Sequence, residues 1–250
     1  MILSRIRKAL EDQNWLSIAI EFVIVVAGVM LAFQVTQWSQ DRAEAERRAV
    51  ALDRLQEEIE TSAGTLVIFL EMYETLNSDR NEVIERLLNG DFEDMDGDAM
   101  KDALVSTSLF PAFSPPQGVY TEITSSGMVS SLGDARFRDA LGRYQSSVNF
   151  LQGQINYFRL LATSDTEDIR SFDAVQLEFA PDTPRGRRHI VDWNEAAADP
   201  ALLQYILNSN NRMRAMQGWW QDTQDAAMSL CEETARLTGR PCEPEGANPS

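Results

Sequence analysis

From Phe22 to Phe33 the chain reads FVIVVAGVMLAF with no polar side chain, and the first charge after it is Asp41. A helix needs about 20 predominantly apolar residues to cross the hydrocarbon core of a bilayer. Leu16 to Trp38 supplies that length, with Glu21 as its one charge. Trp15 and Trp38 stand at its two ends, where amphipathic rings anchor a span to the interfaces. A buried helix of a soluble protein is the competing reading, because only twelve residues are strictly apolar; the tryptophan flanks argue against it. A cleaved signal peptide would suit the basic start Arg5-Ile6-Arg7-Lys8. However, Met30-Leu31-Ala32 puts a bulky side chain where a peptidase requires a small one, and the helical pattern runs on past Trp38. The expectation is an uncleaved anchor.

Within the span, Glu21, Val25, Gly28, Ala32 and Val35 share one helical face, since seven residues make almost two full turns. Gly28 and Ala32 form a small-xxx-small pair that lets two helix backbones approach closely. A carboxylate at membrane depth costs at least a few kcal/mol if it faces lipid. Glu21 therefore either faces a partner helix or, lying six residues from Trp15, reaches the headgroup water. Sequence leaves both open.

The formal net charge is −17. In the first forty residues Arg5, Arg7 and Lys8 balance Glu11, Asp12 and Glu21, so the whole excess lies beyond the span. A domain this acidic repels phosphate backbones, and nucleic acid is excluded as a partner on that ground. The basic residues flanking the span nearly tie, with Arg5, Arg7 and Lys8 against Arg42, Arg47, Arg48 and Arg54, so the positive-inside rule alone does not orient it. The cysteines add to this. Cys231 and Cys242 bracket a helix end and Gly239, where a turn can bring the second thiol back beside the first. Such a disulfide would stabilise the terminus by about 3 kcal/mol on the loop-entropy model and requires an oxidising compartment. The expectation is an N-terminus in the cytoplasm and a large periplasmic domain.

Leu52, Leu55, Ile59, Ser62, Leu66, Phe69, Tyr73, Leu76, Arg80, Val83 and Leu87 alternate spacings of three and four, the seam of a packed helix. No proline interrupts Asp41 to Asn89, so the span is expected to continue outward until Asn89-Gly90 and the acidic loop Asp91 to Asp98. That loop lacks the register and distal Glu of a calcium-binding EF-hand. Pro111, Pro115 and Pro116 forbid a regular helix in LFPAFSPPQG, whose Phe110 and Phe113 should tuck into the core. Val119 to Ser126 reads as a short helix closed by Gly127. Asp134 can cap a longer one with Phe137, Leu141, Tyr144, Val148, Leu151, Ile155 and Phe158 on its buried side. Asp165 to Arg188 suggests a short helix and a loop. The last long helix starts at Asp199-Pro200, with Leu202, Ile206, Met213, Met216, Trp220, Ala227, Leu230 and Leu237 inward.

The fold class expected is all-α: one transmembrane helix continuing into an extracytoplasmic helical bundle of long antiparallel helices. Its segments are 1–15 in the cytoplasm, 16–40 in the membrane, 41–244 as the periplasmic domain and 245–250 as a disordered tail.

Chemistry is sparse. One histidine and two cysteines exclude a zinc ribbon or a histidine-rich metal site. No P-loop or dinucleotide fingerprint is present, and the adjacent acids Glu57-Glu58 and Glu232-Glu233 point in different directions on helices. Neither Ser125-Ser126-Gly127 nor Ser130-Ser131 fits a nucleophile elbow. No enzyme activity and no cofactor is expected. Arg185, Arg187, Arg188 and His189 form the one cationic cluster of the acidic domain. It either binds an anion, a carboxylate or lipid headgroups, or pairs with nearby acids.

The run RIRKALEDQNWLSIAIEFVIVVAGVMLAFQVTQW, the segment Val119-Tyr120-Thr121-Glu122-Ile123 with Ser125-Ser126-Gly127, and Trp193 followed by Asp199-Pro200 together resemble a family of uncharacterised bacterial single-span membrane proteins. That resemblance implies a helical extracytoplasmic domain and carries no catalytic residues. The partners expected are the lipid bilayer and either a second copy of the chain or another membrane protein. The function expected is that of an interaction or accessory subunit of an envelope complex; the alternative is a ligand sensor that signals through a separate membrane partner, because about fifteen residues before the span hold no signalling domain. On a non-reducing gel of freshly alkylated membranes, Cys231 and Cys242 should run oxidised within one chain; free thiols would overturn the periplasmic placement.

Overall fold

The computed structural model describes residues 15–95, 97–107, 113, 115–163, 169–183 and 186–244. The expected segment 1–15, apart from the backbone of Trp15, lies outside the described residues, as do Phe110, Arg185 and the tail 245–250. The described chain is mostly helical: α1 (Trp15–Asn89), α2 (Asp98–Ser106), α3 (Gly118–Ser125), α4 (Val129–Leu132), α5 (Ala135–Thr163), a 3-10 turn Ile169–Ser171, β1 (Val175–Phe179), β2 (Arg187–Val191), α6 (Trp193–Ala198) and α7 (Pro200–Thr238). It divides into two compact units, Met1–Ala51 and Leu52–Ser250.

The first unit is the opening part of α1, a helix long and apolar enough to cross a membrane by length and composition. Every side chain from Ala19 to Arg47 is exposed, Phe22 at 69%. The Thr36 hydroxyl donates to the Ala32 carbonyl at 2.8 Å. This polar group within the apolar stretch is thereby satisfied by its own helix.

In the second unit, the rest of α1 and all of α5 pack against α7. Thr238 bonds Gln56 at 2.6 Å, Asn77 bonds Gln217 at 2.7 Å and Asn210 bonds Asn81 at 3.1 Å. Residue numbers rise along α1 as they fall along α7, so the two run antiparallel. Asp134 with Arg236 at 2.9 Å and Ser147 with Thr223 at 2.9 Å give α5 the same sense. All seven three-four positions of α5 are buried, as are nine of the eleven along α1; Phe69 and Leu76 are half-buried. Trp220 lies fully buried at mid-height of α7, its ring stacked on Phe69 at 5.1 Å and near Tyr73 at 5.9 Å. Phe113 stacks there too, 6.1 Å from the indole.

Polar residues close the helix ends. Asp134 accepts from the Phe137 amide at 3.1 Å. That bond, with Arg236 beside it, holds the Asp134 carboxyl below the usual carboxylate range. Asp199 accepts from Ala201 and Leu202 at 2.8 and 3.2 Å, with Pro200 in the first turn. No side chain of its own caps α3. Glu58 of α1 does so instead, accepting from the Val119 and Tyr120 amides at 2.7 and 3.1 Å. Helix α1 stops at Asn89, where Gly90 turns with φ 67°, a conformation that costs a glycine little.

One element departs from the expected short helix and loop. Val175–Phe179 and Arg187–Val191 pair as an antiparallel hairpin, Val175 opposite Val191 and Phe179 opposite Arg187. Val175, Leu177 and Phe179 are spaced by two, the strand period. Gly186 takes φ 64° at the return. The expectation of an all-α chain is corrected accordingly: the hairpin is its one sheet among the described residues. Val175 and Val191 at its base join a buried cluster with Val83, Leu87, Leu104 and Trp193. Replacing Trp220 with alanine should destabilise the second unit by about 3 to 5 kcal/mol, read from urea unfolding of the full chain in detergent micelles.

Candidate functional site

Spacings of three and four put Asp98, Lys101 and Asp102 on one face of α2. The strand β2, which packs against α2, brings Arg187, Arg188 and His189 to the same place. With Thr183 of the hairpin turn, these residues line a cleft of about 380 Å³, within the range of about 300 to 1,000 Å³ typical of small-molecule sites. The His189 Nδ1 lies 3.8 Å from an Asp102 carboxylate oxygen; the imidazole is 14% exposed and the carboxylate 67%. Arg188 pairs with Asp182 at 3.2 Å. Thr183 belongs to the turn itself, accepting from the Arg187 amide at 3.0 Å and donating to the Ala180 carbonyl at 2.9 Å. The Lys101 ammonium and the Arg187 guanidinium make no hydrogen bond or ion pair among the described residues.

The C-terminal end of α2 is fastened to α1 and α7. The last carbonyls of a helix have no partner within it. Ser106 is met from α1 by Arg80, whose Nε donates to the Ser106 hydroxyl at 3.0 Å and whose Nη2 donates to the Ser106 carbonyl. The Thr107 carbonyl accepts from the Ser209 hydroxyl of α7. A cation there also complements the negative end of the helix dipole. Arg80 is fully buried, and burial holds its guanidinium down at about 10, still protonated at neutral pH. Desolvation also pushes the Tyr73 phenol, almost two turns earlier on α1, above its ordinary value.

The cationic cluster read from sequence is thus only one wall of the cleft. Arg187, Arg188 and His189 are there, and Arg185 lies outside the described residues. The other wall, Asp98, Lys101 and Asp102, was missed. Lys101 is one of two lysines in the chain, a rarity that singles it out without saying what it faces.

The remaining candidate residues lie elsewhere. Glu21, Val25, Gly28 and Ala32 are exposed on the first unit, and a Cβ added at Gly28 would meet nothing within 4 Å. Trp38 is 65% exposed, with the Arg42 guanidinium 5.6 Å from its ring centre, within cation–π reach. Trp15 is the first residue of α1, and its side chain is outside the described residues. Cys231 and Cys242 are disulfide-bonded, their Cα atoms 5.7 Å apart. Gly239 makes the intervening turn in the left-handed region at φ 76°, as glycines that close helices commonly do. The returning segment is then fastened to α1: Gln56 donates to the Pro241 carbonyl at 2.9 Å, and Glu60 accepts from the Glu243 amide at 3.2 Å and from Arg240 at 3.3 Å. Among the described residues no group of three or more His, Cys, Asp or Glu side chains could hold a metal ion.

The chain is thus a mostly helical protein with one helix apolar enough to span a membrane and a charged cleft on its helical unit. It belongs to a family of unknown function (DUF6090), whose model matches residues 21–170. The match takes in the apolar stretch Phe22 to Phe33 and the α2 wall of the cleft, and stops before the hairpin and α7. No curated protein and no solved structure matches the chain. Because Arg80 holds α2 in place, Arg80→Met should raise amide hydrogen exchange in α2 by at least about tenfold relative to α5, read by mass spectrometry on the full chain.

Proposed function

We propose that this is a single-span protein of a bacterial inner membrane, with its N-terminus in the cytoplasm and its helical bundle in the periplasm. It works there as a non-enzymatic interaction or accessory subunit of an envelope complex. The observation that carries this reading is the apolar opening of α1, whose side chains are exposed on every side and would be costly to leave in water. The Thr36 back-bond, which leaves that hydroxyl no unmet need in lipid, supports it. So does Trp38 beside Arg42, a ring and cation suited to the headgroup layer. The Cys231–Cys242 bond supports the oxidising side for the larger unit. The face carrying Glu21, Gly28 and Ala32 is the surface offered to another span, whether of a second copy or of a different protein.

Sensing is a second reading, favoured by one observation, the cleft between α2 and β2. A ligand there would bear on the position of α2 and, through Arg80, on α1.

Crosslinking in intact cells, followed by affinity purification in mild detergent and mass spectrometry, tests the interaction reading. A partner recovered with the wild-type chain should be lost from both Glu21→Leu and Gly28→Ile. Recovery of the chain alone, unchanged by either substitution, would rule out a partner at this face.

A further inference from the structure

We propose that the cleft between α2 and β2 binds a small zwitterion of the amino-acid type, with its carboxylate at Lys101 and Arg187 and its ammonium at Asp98 and Asp102. This gives the sensing reading a ligand class and rests on that reading only for its consequence, since binding itself requires neither a membrane nor a partner.

The charge inventory of the cleft selects the class. Arg188 is already neutralised by Asp182 at 3.2 Å. Lys101 and Arg187 are left as two cations with no partner among the described residues, in the same cleft as the carboxylates Asp98 and Asp102. Asp98 has no partner there either, and Asp102 is approached only at 3.8 Å by His189 while staying 67% exposed. Lysine and arginine from two different elements converge on one space, the arrangement that grips a carboxylate. Two acids one helical turn apart on α2 offer an ammonium its acceptors.

Simpler ions fit less well. A bare anion must approach a chain carrying 39 acids against 22 bases, and then sit beside two carboxylates. A bare cation is drawn to the whole acidic surface but meets Lys101 and Arg187 in the cleft. A molecule with both charges and none in sum escapes the long-range field and satisfies both sets at short range. The volume of about 380 Å³ exceeds what a charged head group alone fills, leaving space for a side chain.

The test is isothermal titration calorimetry on the full chain in detergent micelles with the twenty common L-amino acids, acetate, inorganic phosphate and ethylammonium as probes. At least one amino acid should bind saturably at about 1 mM or tighter, with acetate, phosphate and ethylammonium each at least about tenfold weaker. Lys101→Met and Asp98→Asn should each weaken that amino acid by at least about tenfold while circular dichroism stays unchanged. Arg138→Gln, remote on α5, should bind as wild type. No saturable amino-acid binding, binding indifferent to both substitutions, or phosphate binding tighter than every amino acid would each overturn the proposal. Should the amino acid bind as expected but leave the recovered crosslinks unaltered, the site stands and sensing through that partner falls.

Discussion

A guanidinium buried among packed helices is costly unless its donors are received, and Arg80 meets part of that cost by donating from Nε and Nη2 to Ser106 at the end of α2. The carbonyls at the end of α2 need donors; Arg80 needs acceptors. Each lowers the other's penalty, and Ser209 adds a donor to the Thr107 carbonyl while the Ser106 and Thr107 hydroxyls serve those of Ala103 and Leu104. The position of α2 against α1 and α7 follows from that exchange, and with it the wall of the cleft that Asp98, Lys101 and Asp102 form. The charged surface is thus set from its far end, by a buried bond on the other side of the helix.

Much of the helical core was legible because amphipathic period is a local property. Phe137 through Phe158 could be placed on one face from spacing alone, and all seven are buried. Caps were equally local, Asp134 and Asp199 each standing just before its helix. The hairpin was misread for an opposite reason: a five-residue strand, even with Val175, Leu177 and Phe179 at spacing two, gives too short a run to separate period two from an irregular helix. Arg80 illustrates a different limit. Its spacing puts it on the apolar seam of α1, yet spacing does not say what receives its charge, which is Ser106, 26 residues on.

The cleft was half legible. Arg187, Arg188 and His189 stand out as consecutive basic side chains in an acidic chain, visible from composition. Their counterparts come from a helix more than eighty residues earlier, and only the packing of β2 on α2 joins the two sets. That packing changes the chemistry as well as the membership, since a run of cations implies an anion while cations facing acids imply a dipolar guest. The glutamate that caps α3 was likewise beyond local reading, because Glu58 and Tyr120 lie 62 residues apart.

Helix α7 is the common neighbour of α1 and α5, and it follows both in the chain. Its bond from Thr238 to Gln56 spans 182 residues. During synthesis, the apolar seams of α1 and α5 are therefore completed before the helix that covers them exists. Until α7 arrives, only the Val83 and Leu87 end of the α1 seam has its later neighbours Leu104, Val175 and Trp193, and Trp220, the ring that fills the space beside Phe69 and Tyr73, is among the later residues made. The closure of the second unit thus rests on contacts of high sequence separation. The turn through Gly239 that returns Cys242 to Cys231 fastens the far end of this late helix onto the earliest part of the unit, at Gln56 and Glu60.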